Sequence, residues 1–199
     1  MNPLLNHRNA LILGIVLAIL LAIGLTGGVE FNQAAMARWV HIVSGVFWIG
    51  LLYYFNVVQI PGLADAAADK GGPGGAGISK YVAPRALFWF RYAALLTWLG
   101  GAWLLGTRLP SAFMLGLGSS PPDQYSLVIG IGAWLGTIML FNVWVLIWPN
   151  QKKVLGIVTA TDAEKATARK VAMLASRTNF VLSIPMLLCM GATNHAMPF

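Results

Sequence analysis

Five long apolar runs dominate the chain: Ala10–Val29, Met36–Ile60, Ala86–Gly106, Ser126–Trp148 and Asn179–Met197. Each is close to the roughly 20 helical residues that cross a hydrocarbon layer of about 30 Å. In lipid, every backbone polar group must find its partner within the segment, so such runs predict helices. The first run, ALILGIVLAILLAIGLTGGV, is uniformly aliphatic. It exceeds the apolar core of about 7–15 residues found in a signal peptide and precedes no clear small-x-small cleavage site, so it predicts a retained helix. The polar intervals differ in character. Ala64–Ala76 is rich in Gly and Ala and predicts a flexible linker. Thr107–Tyr125 carries Pro110, Pro121 and Pro122 and predicts an irregular loop. In Asn150–Ser176, Thr161 and Glu164 have the spacing of a capping box. They predict a short helix that lies on the membrane surface or continues into the fifth span. Pro185 is expected to kink that span. The predicted fold is an all-α integral membrane protein, a single-domain bundle of five transmembrane helices.

Composition excludes the other classes. Hydrophobic residues are 58% of the 199 and charged residues 10%, with a mean hydropathy of +0.72. No disordered chain and few soluble globules have such values. The net charge of +7 would suggest nucleic acid in a soluble protein. Here it is explained by topology. With the N-terminus in the cytoplasm, ten basic residues fall on the inner side, and only Arg38 and Arg108 fall outside. Arg91 lies near the inner end of the third span and can snorkel. This split obeys the positive-inside rule, places the chain in an inner (cytoplasmic) membrane and leaves nucleic-acid binding without support. The single cysteine, Cys189, excludes a disulfide framework, and there is no CxxC or CxxCH.

The chemistry-bearing residues are few. Glu30, Asp65, Asp69, Asp123, Asp162 and Glu164 all fall in loops or at span ends, so no mid-membrane carboxylate relays protons. No hydrolytic motif is present. Two histidines stand out. His41, Gly45, Trp48 and Leu52 share one face of the second span. A ligand, a position without a side chain and a flat aromatic in succession suit a planar macrocycle. His195, near the end of the fifth span, is expected at a similar depth on the same outer side. Together they could ligate the iron of one b-type haem, with Met190 or Met197 as substitutes for one histidine. The plainer alternatives are an interfacial His41 bonded to a neighbouring helix and a frayed His195. Asn56, Thr97, Asn142 and Asn179 are expected to bond between helices. Gly100, Gly101, Gly132 and Gly136 are expected to pack helices. Arg91 could neutralise a buried acid, but its inner depth argues against a haem propionate on the outer side.

RWVHIVSGVFWIGLLYYFN, FWFRYAALLTWLGG, GTIMLFNVWVLIWPNQKK and RTNFVLSIPMLLCMGATNHAMPF together resemble the urate oxidase N-terminal domain family, the membrane domain of PuuD-type urate hydroxylases. More weakly, the HxxxGxxWxG stretch is similar to HemJ-type protoporphyrinogen oxidases and copper-resistance D membrane proteins. The resemblance implies a membrane redox protein that passes electrons to a c-type cytochrome, with oxidoreductase chemistry of the urate hydroxylase type. It also implies a short form, since the full-length family carries a C-terminal cytochrome c domain and this chain ends after NHAMPF. The family has a histidine early in the third span, whereas LFWFRYAAL has Phe88 there. The competing expectation is a cofactor-free structural or assembly subunit of a larger membrane complex.

Overall fold

The computed structural model describes residues 2–28 and 30–195, apart from the side chains of residues 193–195. No strand occurs among the described residues. The chain divides into two units, residues 1–33 and residues 34–199.

The first unit holds helix α1 (His7–Thr26). Asn6 caps its start by accepting the Arg8 N–H at 2.9 Å. Gly27, at φ 67°, ends it in a left-handed turn that favours glycine. The expected first span thus begins three residues earlier than Ala10, and Val29 lies outside the described residues.

The second unit contains four long helices: α2 (Gln33–Ala68), α3 (Ala83–Leu105), α5 (Gln124–Val154) and α6 (Asp162–His195), with the short α4 (Leu109–Phe113) between α3 and α5. By length and composition, α1, α2, α5 and α6 can cross a membrane. Helix α3, at 23 residues, has the length. Its arginines and tryptophans lower its hydropathy.

Prolines decide where these helices run. The second and fourth spans were expected to stop at Ile60 and Trp148, just before Pro61 and Pro149. Instead, both helices continue, to Ala68 and Val154. A proline has no N–H to give to the carbonyl four residues back, and its ring crowds that carbonyl. The chain widens the preceding turn instead. A π segment at Tyr54–Gln59 precedes Pro61, and another at Asn142–Ile147 precedes Pro149. A third, at Ile78–Val82, precedes Pro84. In each case the last N–H before the proline bonds five residues back: Ile60 to Phe55, Ala83 to Ile78 and Trp148 to Val143. The linker expected over Ala64–Ala76 shrinks accordingly, because its first residues extend α2.

The remaining polar intervals are also more ordered than their composition suggests. The loop expected over Thr107–Tyr125 includes α4, which docks on α5. The Trp134 indole N–H donates to the Phe113 carbonyl at 3.0 Å, and the two rings meet edge to face. The Thr161–Glu164 capping box forms as expected, with Thr161 N–H donating to Glu164 Oε2 at 2.7 Å. It opens a helix that runs unbroken through Pro185, so the expected short helix and the fifth span are one element.

Asp123 caps α5. Its carboxylate accepts the Ser126 hydroxyl at 2.6 Å and the Tyr125 N–H at 3.0 Å. The Ser126 bond first, with Arg108 assisting, holds the carboxyl below the ordinary aspartate range. A depressed folded-state pKa contributes stability above the unfolded value of about 4 and loses it as pH falls through the folded value. Thermal midpoints of the detergent-solubilised protein should therefore fall below about pH 4. Asp123→Asn should start lower at neutral pH and lose this acid limb.

The core lies where the four long helices converge. It holds Trp48, Leu52, Phe90, Ala94, Met139 and Val143. The opposite faces are apolar and exposed: Val46 on α2, Leu96 on α3, Ile138 on α5, Val181 and Ile184 on α6. Exposed mid-helix aliphatic residues on every long helix suit lipid rather than water. The chain is a multi-pass membrane protein.

Candidate functional site

His41 lies in the N-terminal third of α2, where that helix meets α3. Its Nδ1 is 2.7 Å from the Thr97 carbonyl. A carbonyl only accepts, so Nδ1 carries the proton, and in the neutral ring Nε2 keeps its lone pair. The close approach depends on glycine. A Cβ on Gly101 would lie 3.0 Å from the imidazole Nδ1 and Cε1, and one on Gly100 would lie 3.1 Å from the His41 amide nitrogen. One turn further, a Cβ at Gly45 would meet the Thr97 methyl at 3.6 Å. Trp48 is 2% exposed and belongs to the core, and its Nε1 is buried without a partner. The face of His41, Gly45 and Trp48 thus packs against α3 and into the core.

A second polar assembly joins α2, α5 and α6. Ser176, Asn179 and Ser183 recur at helical spacing on one face of α6, all buried. Ser183 meets the Tyr53 hydroxyl at 3.1 Å. Ser176 accepts from Asn56 Nδ2 at 3.0 Å. Asn179 accepts from Asn142 Nδ2 at 2.8 Å and donates to the Met139 carbonyl at 2.9 Å. The expected interhelical role of the three asparagines is met. The serines and Tyr53 were not anticipated, although the i, i+3, i+7 spacing on α6 was a visible signal. Both Asn56 and Asn142 sit in π segments, whose wider turn displaces side chains relative to an α-helix. Asn56 Oδ1 and Gln59 Oε1 are left buried without donors.

Replacing Asn179 with leucine should cost about 1–2 kcal/mol, because the Asn142 amide then stays buried and unpaired. Converting Asn142 to leucine as well should recover part of that loss. Unfolding of both variants in detergent checks this.

These contacts set the register of α2 against α6. Tyr53 pairs with Ser183. His41 is twelve residues before the first, and His195 is twelve residues after the second, about 18 Å along each antiparallel helix. His195 is the last helical residue of α6. Its side chain and Met197 lie outside the described residues.

The other candidates divide clearly. Gly132 packs on α6, with Cys189 Cβ and Met190 Cε each 3.0 Å from where its Cβ would lie. Gly136 has nothing within 4 Å. Arg91 has no carboxylate within ion-pair distance among the described residues. Its guanidinium stacks on Trp148 with 3.7 Å to the ring centroid. No group of three His, Cys, Asp or Glu side chains that could hold a metal ion occurs among the described residues.

No curated protein and no solved structure matches the chain. Residues 124–199, which comprise α5, α6 and the histidine-bearing C-terminus, match the family model described as "Urate oxidase N-terminal".

Proposed function

We propose that this chain is a membrane redox subunit related to the urate hydroxylase membrane domain, which binds one b-type haem through His41 and His195 and exchanges electrons with a separate c-type cytochrome. The observation that carries this reading is the 2.7 Å contact of His41 Nδ1 with the Thr97 carbonyl. A histidine that ligates a metal through one nitrogen usually donates its other N–H to a carbonyl or carboxylate, and His41 donates Nδ1–H to Thr97. What supports this donor set is one imidazole oriented through Nδ1 by the Thr97 carbonyl and a second histidine as many residues from the Tyr53–Ser183 pair on α6 as His41 is on α2. Haem, when bound, supplies a one-electron couple. The chain supplies orientation. Gly100 and Gly101 let α3 approach, and the Thr97 carbonyl holds the ring. The basic residues predict an inner-membrane protein with its N-terminus in the cytoplasm, so both histidines would lie towards the outer face. A soluble cytochrome could reach them there.

A visible spectrum of the purified protein, oxidised and then reduced with dithionite, together with a pyridine haemochrome assay, tests the proposal. One b haem per chain with a sharp reduced α-band is expected. A colourless protein after haem-supplemented expression overturns it. The competing reading, a cofactor-free assembly subunit, has its own support: the His41, Gly45 and Trp48 face packs against α3 and into the core. Co-purification with a larger complex, without absorbance of its own, would favour that reading.

A further inference from the structure

An open apolar groove of about 460 Å³ runs along α3 and α5, lined by Leu95, Trp98, Leu99, Leu140, Phe141 and Trp144. The Trp144 indole nitrogen is buried away from the groove surface, and the other polar side chains of the lining are paired with each other or with backbone. The Trp98 indole donates to the Thr137 hydroxyl at 2.9 Å, and that hydroxyl donates to the Ala133 carbonyl at 2.8 Å. The surface left to an occupant is hydrocarbon.

One end of this groove is cationic. Arg91 is one turn before Leu95 on α3, and Trp148 is one turn beyond Trp144 on α5. Tyr92 and Trp144 meet edge to face at 5.7 Å and join the two helices at that end. The Arg91 guanidinium lies over Trp148 and within 5.4 Å of the Tyr92 and Phe88 ring centroids. Its one hydrogen bond, to the Leu87 carbonyl, is long at 3.5 Å. Most of its five donors therefore remain available, and no acid among the described residues neutralises it. Lys152, one turn past Trp148, adds a second cation on the same side. An unneutralised arginine at the edge of an apolar span is costly unless an anion reaches it.

We infer that this groove binds an anionic phospholipid, with its phosphate at Arg91 and an acyl chain along Leu95–Leu99 and Leu140–Trp144. Charge complementarity selects the head, because a guanidinium pairs bidentately with phosphate. The apolar channel selects the tail. Arg91 to Leu99 is eight residues, about 12 Å, close to the ~15 Å depth of one hydrocarbon leaflet. Basic sites between helices at one membrane surface have this lipid chemistry in general.

Native mass spectrometry of the delipidated protein, titrated with phosphatidylglycerol and with phosphatidylcholine of the same chains, tests the site. Wild type should retain phosphatidylglycerol about tenfold better, the effect of one charge-assisted contact. Arg91→Gln should abolish the preference, and Leu140→Trp, which fills the groove, should weaken retention of both lipids. Arg169→Gln, on α6, should leave the preference intact. Inorganic phosphate should compete poorly, because it lacks the tail. Equal retention of the two lipids by wild type overturns the proposal, as does an unchanged preference in Arg91→Gln or full competition by phosphate. If Arg91→Gln does not fold, the Leu140→Trp titration and the phosphate competition decide alone.

Discussion

Replacing His41 with alanine is expected to abolish the reduced α-band of the b haem that we assign to this chain. Haem content should fall from about one per chain to a background level, because one axial ligand is lost outright. The neighbouring substitutions separate ligation from packing. Thr97→Ala should keep the haem, since the acceptor of His41 Nδ1–H is the Thr97 backbone carbonyl and the hydroxyl bonds within its own helix to Ala93. Gly101→Ala should shift the spectrum and weaken haem retention without abolishing it, because its Cβ would press on the imidazole at 3.0 Å. The imidazole can yield by a few tenths of an ångström. A full bis-histidine spectrum in His41→Ala would refute the assignment. If His41 serves only to join helices, these variants should differ in thermal stability alone.

The second large effect is structural. Gly130→Ala is expected to destabilise the protein by about 3 kcal/mol, the upper end of the usual cost of overpacking. A Cβ at this position would run into the Ala112 carbonyl oxygen and lie 3.0 Å from Leu115 Cδ2. The first contact is with backbone, so α4 must move off α5. Ala112 is completely buried and has no free space to enter. Gly136→Ala is the control. Nothing lies within 4 Å of its Cβ, and alanine favours a helix over glycine by up to about 1 kcal/mol. Thermal unfolding in detergent should show a large drop for the first variant and little change or a gain for the second. Equal behaviour would mean that α4 does not dock where the Trp134 and Ser126 bonds hold it.

The two glycines show how far local pattern reaches. Gly132 and Gly136 form the familiar small-xxx-small spacing on α5, and Gly132 does pack against α6. The tightest glycine of that helix is Gly130, which no spacing rule singles out. Its constraint comes from α4, a segment that looks like a proline-rich loop in sequence. Likewise, the asparagines announced themselves as polar groups within apolar runs, but their partners did not. Asn142 meets Asn179 across 37 positions, and Tyr53 meets Ser183 across 130.

Hydropathy located the membrane-length runs, because lipid offers no partner for a backbone amide and the chain must satisfy its own. The first and fourth runs were readable to within a few residues at their capped starts, Asn6 and Asp123, whereas α6 starts 17 residues before the fifth run, at the Thr161 capping box. Hydropathy misjudged the ends marked by proline. A proline forbids the bond to the residue four back, yet a wider turn closed five back avoids the conflict, and only the packed helices at Tyr54–Gln59 and Asn142–Ile147 reveal which outcome occurs. His41 stands out in the sequence as a histidine in an apolar span. Its hydrogen-bond partner does not, since that is a carbonyl 56 residues away. Side chains that meet across helices are brought together by packing, and packing is a property of the whole assembly rather than of any window along the chain.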